Sequence, residues 1–207
     1  MIKNFSCLCG ANIQLDYSEE IDIDEKSEYL DEIHSGSFMS VSCNSCGKKH
    51  KPELKITIVW KSKNLKMEII PELERGEYYR YLKKKKNNQS VQTIIGFPEM
   101  ADRLAVIKDE LEPVVIETLK SFLLTKAAEN YPDNDINAWY YSRVGEGIEF
   151  HLDGIRHDEI AVMKIPQEIY AKTLDDYKKH PKKEIYTSLR AGSYLSVRNL
   201  SRPFAFK

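Results

Sequence analysis

The clearest periodic stretch lies in the middle of the first half. In "LKITIVWKSKNLKMEII", Leu54, Ile56, Ile58 and Trp60 alternate with other residues, and Leu65, Met67 and Ile69 do so again after "KSKN". A period of two on both sides of a polar turn predicts a β-hairpin with one buried face, ended by Pro71. Upstream, "MIKNFS" and "ANIQLDY" read as strands, and "GSFMSVSC" as a lead into another. Between them "DEKSEYLDEIHSG" predicts a short helix, with Tyr29, Leu30 and Ile33 on its apolar face and Gly36 as its stop. Downstream, "TIIGFP" reads as a strand, and the period then lengthens. "PEMADRLAVIKDEL" places Met100, Leu104 and Ile107 or Leu111 on one side of a helix. "PVVIETLKSFLLTKAAEN" opens on Pro113 and lines up Val115, Leu119, Phe122 and Leu123. From residue 136 the period returns to two: "INAWYYSR", "IEFHLDG" and "DEIAVMKIP" read as three antiparallel strands, with turns at Gly145–Gly147 and at "HLDG". A helix over "PQEIYAKTLDDYKKHP" comes next, with Ile169, Leu174 and Tyr177 on one face. "SYLSVRNLSRPFAF" is expected to add a last strand. The fold class this predicts is α+β: an N-terminal antiparallel β domain with helices, then a small antiparallel sheet plus helix.

The four cysteines sharpen the first part of this picture. Cys7 and Cys9 are one residue apart, Cys43 and Cys46 two apart, and Gly10 and Gly47 follow each pair. Zinc takes four thiolate or imidazole ligands at tetrahedral corners, and two cysteines in one tight turn can supply two of them. The glycine after each pair permits the positive φ that such a turn needs. The expectation is a structural zinc ion held by Cys7, Cys9, Cys43 and Cys46 in a zinc-ribbon-like site, with His50 as an alternative to one thiolate. A redox dithiol at "CNSC" competes, but that motif does not open a helix within a βαβ unit. Two unrelated buried thiol pairs are the remaining alternative.

Paired cysteine knuckles, an intervening acidic helix ending in Ser-Gly, a second Cys-x-x-Cys-Gly and a hairpin finishing in "IIPE" together resemble the CpXC domain family of prokaryotic proteins. "GFPEMADRLAVIKDELEPVVIETLKSFLL" resembles that family's later helical part. The first knuckle reads Cys-Leu-Cys where the family has Cys-Pro-x-Cys, and the second lacks the proline. The family is functionally uncharacterised, so the resemblance implies a fold and a metal rather than a reaction. It suggests a CpXC-like domain over 1–130, made of a zinc-ribbon part (1–72), a basic linker (75–90) and a helical part (91–130). A C-terminal α+β domain over 131–207 would complete the chain.

Composition adds little to this and excludes much. The 207 residues are 42% hydrophobic and 30% charged, with a formal net charge of -1. Nothing indicates disorder, and no global field draws the chain to nucleic acid. No apolar run approaches the roughly 20 residues of a membrane helix, and the N-terminus does not read as a secretory signal. The expected compartment is the cytoplasm, where a structural disulfide is disfavoured. Locally the charge is uneven: 16–32 is acidic, while 48–66 and 75–86 are basic. Arg80, Lys83, Lys84, Lys85 and Lys86, interleaved with tyrosines, are the candidates for contact with RNA or DNA. A solvated helix end is the simpler account of the same run. His151, Asp153, His157 and Asp158 are the one cluster of catalytic residue types. Alternation puts Phe150 and Leu152 inward and so His151 and Asp153 outward, which argues against an enzyme site. Neither a phosphate loop nor a nucleophile elbow is present. The functional expectation is a non-enzymatic module that binds a protein partner, with nucleic-acid binding as the alternative.

Overall fold

The computed structural model describes residues 1–82 and 91–200, which form two compact units, Met1–Ala101 and Asp102–Lys207.

In the first unit, two short antiparallel ribbons carry the cysteine turns. One pairs β1 (Ile2–Ser6) with β2 (Asn12–Asp16). After β3 (Glu20–Asp22) and α1 (Glu28–His34), the other pairs β4 (Val41–Ser42) with β5 (Lys49–His50). The predicted hairpin is β6 (Ile56–Trp60) and β7 (Leu65–Ile70). Its register sets Ile56 opposite Ile69, Ile58 opposite Met67 and Trp60 opposite Leu65, so these six residues share one buried face, while Leu54 lies before the strand and is half-buried. Asn64 closes the turn with φ 48°, a left-handed conformation that asparagine tolerates. α2 (Arg75–Leu82) leads on to β8 (Gln92–Ile95). The expectation of a purely antiparallel sheet is corrected at both flanks. β3 pairs with β6 in parallel, and β7 pairs with β8 in parallel, giving the order β8-β7-β6-β3. The cause is connection length: both parallel neighbours are reached through an intervening helix, which returns the chain to the end it left.

Glu53 ties together the two segments that leave this sheet. One carboxylate oxygen accepts the N–H of Glu72 (2.6 Å) and the other that of Phe97 (2.8 Å), at the starts of the two turns that leave β7 and β8. Arg75 then bridges Glu72 and Glu99 and donates to the carbonyl of Ile95. The "IIPE" glutamate thus belongs to a polar clamp at the sheet's end.

The boundary between the units falls within α3 (Phe97–Lys108). α4 (Pro113–Asn130) comes next, its first turn capped by the Glu112 carboxylate on the N–H of Val114. β9 (Asn137–Val144), β10 (Gly147–Arg156) and β11 (Glu159–Pro166) form an antiparallel sheet in the order β11-β10-β9. Val115, Ile116, Leu119 and Leu123 of α4 share a core with Tyr140, Ile148, Phe150, Leu152 and Ile165 of these strands. α5 (Gln167–Lys179), α6 (Glu184–Thr187) and a small hairpin of β12 (Arg190–Ala191) and β13 (Tyr194–Leu195) complete the unit.

Four expectations are corrected here. The first half of α4, residues 114–121, is buried all round rather than along one stripe, while Phe122 is 49% exposed. On α5 the packed residues are Tyr170, Leu174 and Tyr177, which keep the i, i+4, i+7 spacing that Ile169 breaks. β10 does not stop at "HLDG": it bulges there and runs on to a turn at His157–Asp158. Gly154 allows this bulge, because its φ is +84° and a Cβ would lie 2.0 Å from the carbonyl oxygen of Asp135. The expected last strand is only Tyr194–Leu195, succeeded by a single 3-10 turn.

Sequence periodicity does not show what α3 and α4 hold between them. Asp102, Arg103, Glu117 and Lys120 are all buried. Lys120 Nζ donates to Asp102 (2.5 Å) and Glu117 (2.9 Å), and Arg103 donates to Glu117 (3.3 Å) and to the carbonyl of Leu195 (2.8 Å). The carboxylates also take backbone N–H groups, Asp102 from Tyr140 and Glu117 from Val197. Burial alone would raise the Glu117 carboxyl, but Lys120 and Arg103 outweigh it and hold it below the usual range. Burial pushes Asp102 up despite Lys120. Removing the shared cation leaves the buried Asp102 carboxylate with no countercharge and Glu117 with Arg103 alone. Lys120→Met should therefore cost about 3–5 kcal/mol of stability, read from denaturant unfolding of the full chain. A loss below about 1 kcal/mol would mean the charges are not buried as described.

Candidate metal centre

Each cysteine pair sits in the turn of a two-stranded ribbon, and the two turns are built alike. Cys7 N–H donates to the carbonyl of Ala11 and Gly10 N–H to that of Cys7. In the second turn Cys43 N–H donates to Lys48 and Gly47 N–H to Cys43. These bonds fold each turn back on its first cysteine. Gly10 at φ +88° and Gly47 at φ +72° make the reversal, and no atom lies within 4 Å of where a Cβ would stand, so the need for glycine is conformational rather than steric. The second turn carries one more residue, as Cys-x-x-Cys requires over Cys-x-Cys.

The folding brings all four sulfurs together. Cys7 Sγ lies 3.6 Å from Cys46 Sγ, and Cys9 Sγ lies 3.6 Å from Cys43 Sγ, so each short contact joins one turn to the other. All four lie within 4.8 Å of one another. A disulfide needs sulfurs about 2.05 Å apart, so these are free thiols. Four thiolates about 2.3 Å from a zinc ion stand roughly 3.8 Å apart at tetrahedral corners. The donor set and its spacing fit such an ion, with Cys7 and Cys43 buried and Cys9 and Cys46 at the surface. Ile13, Phe5, Ala11 and Val41 pack against the two buried cysteines in a small apolar cluster.

Two surrounding features tune the sulfurs. The backbone N–H groups of Cys46 and Ser45 point at Cys43 and pull its thiol down to about 6, so at neutral pH it is a thiolate. His50, a candidate fourth ligand in the sequence, lies instead beside the cluster. Its Nε2 is 3.2 Å from Cys7 Sγ, and its ring packs edge-on to Phe5. In the tautomer with hydrogen on Nε2 it donates to that sulfur, the role an outer hydrogen-bond donor plays around a metal site. Its position two residues past the Gly47–Lys48 turn, on the strand paired with β4, was the available signal.

The other candidate residues are not gathered. His151 stacks on Tyr141 at 4.0 Å between ring centroids and contacts Glu149 Oε1 at 3.1 Å. Asp153 accepts from Asn137 Nδ2 and Trp139 Nε1. Both face outward as alternation requires, while His157 and Asp158 form the exposed β10–β11 turn. Arg80 lies on α2, its Nε donating to the carbonyl of Gly76, and Lys83, Lys84, Lys85 and Lys86 lie outside the described residues.

The lowered Cys43 thiol gives a pH dependence with a definite sign. A thiol ionising near 6 when folded and near ~8.5 when unfolded adds stability that is complete above the unfolded value and is lost as pH falls through about 6. Urea unfolding of the reduced, metal-free chain should show its first unit weakening across that window. Cys43→Ser should abolish that dependence, and a pH-independent wild-type transition would refute it.

Comparison with known proteins agrees with this architecture. The family model described as "CpXC protein" matches residues 5–120. An uncharacterised protein of Treponema pallidum (strain Nichols) is 27% identical over 212 residues, covering 94% of this chain and 96% of that protein. No solved structure matches. Among the described residues, no helix is long and apolar enough to cross a membrane. With more than half its length matched by the family model, and with the cysteine turns inside the matched span, the chain belongs to the CpXC protein family.

Proposed function

We propose that Cys7, Cys9, Cys43 and Cys46 hold a structural zinc ion, closing a zinc-ribbon-like site, and that the chain is a non-enzymatic module that binds a protein partner. The observation that carries this reading is the mutual approach of four sulfurs from two turns more than thirty residues apart. Four thiolates fill a tetrahedral sphere and leave no position for water or substrate, which is the pattern of structural rather than catalytic zinc. Bound there, the ion would supply the cross-link that the small apolar cluster around Cys7 and Cys43 is too slight to provide. Its outer face, at Cys9 and Cys46, is open to a partner, and Leu8 between the first two ligands is 88% exposed.

Purified chain should carry one zinc per molecule by elemental analysis. A strong chelator should unfold the two cysteine ribbons while leaving the rest of the chain folded, seen as loss of hydrogen-exchange protection confined to residues 1–50. Zinc-finger peptides draw about 10–16 kcal/mol from their ion, so the shift should be large. A metal-free preparation whose protection matches that of the zinc-loaded chain removes the structural-zinc reading. For the binding reading, a partner that copurifies with the wild type should be lost with Leu8→Asp at unchanged zinc content.

A further inference from the structure

The sheet of the second unit ends in a strand with an open side. β11 is bonded to β10 along one edge, and the order β11-β10-β9 places no strand beyond it. Register fixes which of its backbone groups point outward. Arg156 and Glu159 close the two-residue turn, and at the far end Gln167 N–H donates to the carbonyl of Glu146. In an antiparallel pair every second residue faces the partner strand, so the odd-numbered residues of β11 bond to β10. Ile160, Val162 and Lys164 therefore aim their N–H and C=O groups at the free edge. Among the described residues, nothing is bonded to them there. Pro166, with no N–H to offer, falls on the same outward set, where proline is tolerated in a sheet.

Free edges are normally shortened, charged or bulged to prevent pairing with another chain. β11 is eight residues long, its bulge belongs to β10, and its exposed side chains include Ile160 (62%) and Val162 (53%). Lys164 is the one charge within its central stretch.

We propose that β11 is a self-association edge, at which a second copy of this chain pairs antiparallel about a two-fold axis through Ala161. This register matches the outward-facing residues, while Glu159 falls opposite the partner's Met163 at the margin. Ile160 faces the partner's Val162, and Val162 faces the partner's Ile160, both as hydrogen-bonded pairs with two N–H···O=C bonds each. Ala161 faces its own counterpart in a non-hydrogen-bonded pair, where Cα atoms come within about 4.5 Å and a methyl is the size that fits. At each end, exposed Asp158 meets the partner's Lys164, also exposed, with opposite charge. Moving the axis to Val162 sets Ile160 against the partner's Lys164. Moving it to Met163 sets Ile160 against the partner's Pro166, which cannot donate. Charge and backbone chemistry thus single out the Ala161 register, and the two three-stranded sheets become one.

Sedimentation equilibrium of the full, zinc-replete chain, from low micromolar to hundreds of micromolar, should show a reversible monomer–dimer equilibrium. Val162→Pro deletes an outward N–H and leaves the β10 ladder intact. It should weaken association roughly tenfold or more while the melting temperature stays close to wild type. Ala161→Cys places two thiols across the axis and should give a cross-linked dimer on mild oxidation that wild type does not. A wild-type chain monomeric at every concentration overturns the proposal. So does undiminished association of Val162→Pro, or an Ala161→Cys chain that does not cross-link.

Discussion

Everything in the first unit turns on one constraint: two reversals of the chain, separated by more than thirty residues, must present their sulfurs to the same point. Neither ribbon is long, and few apolar side chains back them. Hydrogen bonding alone folds each turn but does not bring the turns to one another. The sulfurs approach crosswise, Cys7 against Cys46 and Cys9 against Cys43. The ion proposed above would join the ribbons at both of their cysteines, so slippage of one turn past the other would be blocked in two places.

The second unit solves a different problem with the opposite material. The first half of α4, residues 114–121, lies against the sheet on one side and is enclosed on the others, so its polar positions cannot reach water. Glu117 and Lys120 are instead matched to Asp102 and Arg103 on α3. The carboxylates also anchor backbone N–H groups of β9 and of the turn after β13. An apolar interior would pack these pieces, but it would not specify their register. A buried pair stabilises poorly yet penalises misalignment heavily, because any slip strands a charge.

How far the sequence disclosed this depends on the length scale of the cause. The β6–β7 hairpin was legible because its alternation and its turn are local, and the ribbons were legible because the cysteine turns are local too. The parallel flanks of the sheet were not, since β3 and β8 reach their neighbours only through intervening helices. Phe122 was read as core because its spacing suited a single stripe. The structure buries the first half of α4 all round and leaves much of the second half exposed, so no single stripe sets what is core, and Glu117 and Lys120 go inside because partners await them. Asp153–Gly154 reads as a turn by composition. It is a bulge because Asp135 presses on Gly154, a contact no local pattern records. The four cysteines were legible as a set from their spacing alone. His50 was legible as a candidate for the site, but its place beside Cys7 was not, because that depends on the pairing of β4 with β5.

The unequal cysteine turns have a further consequence for how charge is distributed around the sulfurs. Negative charge on neighbouring sulfurs is costly unless hydrogen-bond donors face them. Cys43 draws on the backbone of its own turn, where the residue that Cys-x-x-Cys adds over Cys-x-Cys lets the N–H groups of Ser45 and Cys46 point back at the sulfur. Cys7 sits in the tighter turn and has an imidazole from the opposite ribbon at its sulfur. The second ribbon thus supplies donors to a sulfur in each turn: backbone amides to its own and a ring nitrogen to the other's. The shorter first knuckle and the histidine after the second are, on this argument, two halves of one adjustment. A longer first turn would make the histidine's hydrogen bond dispensable.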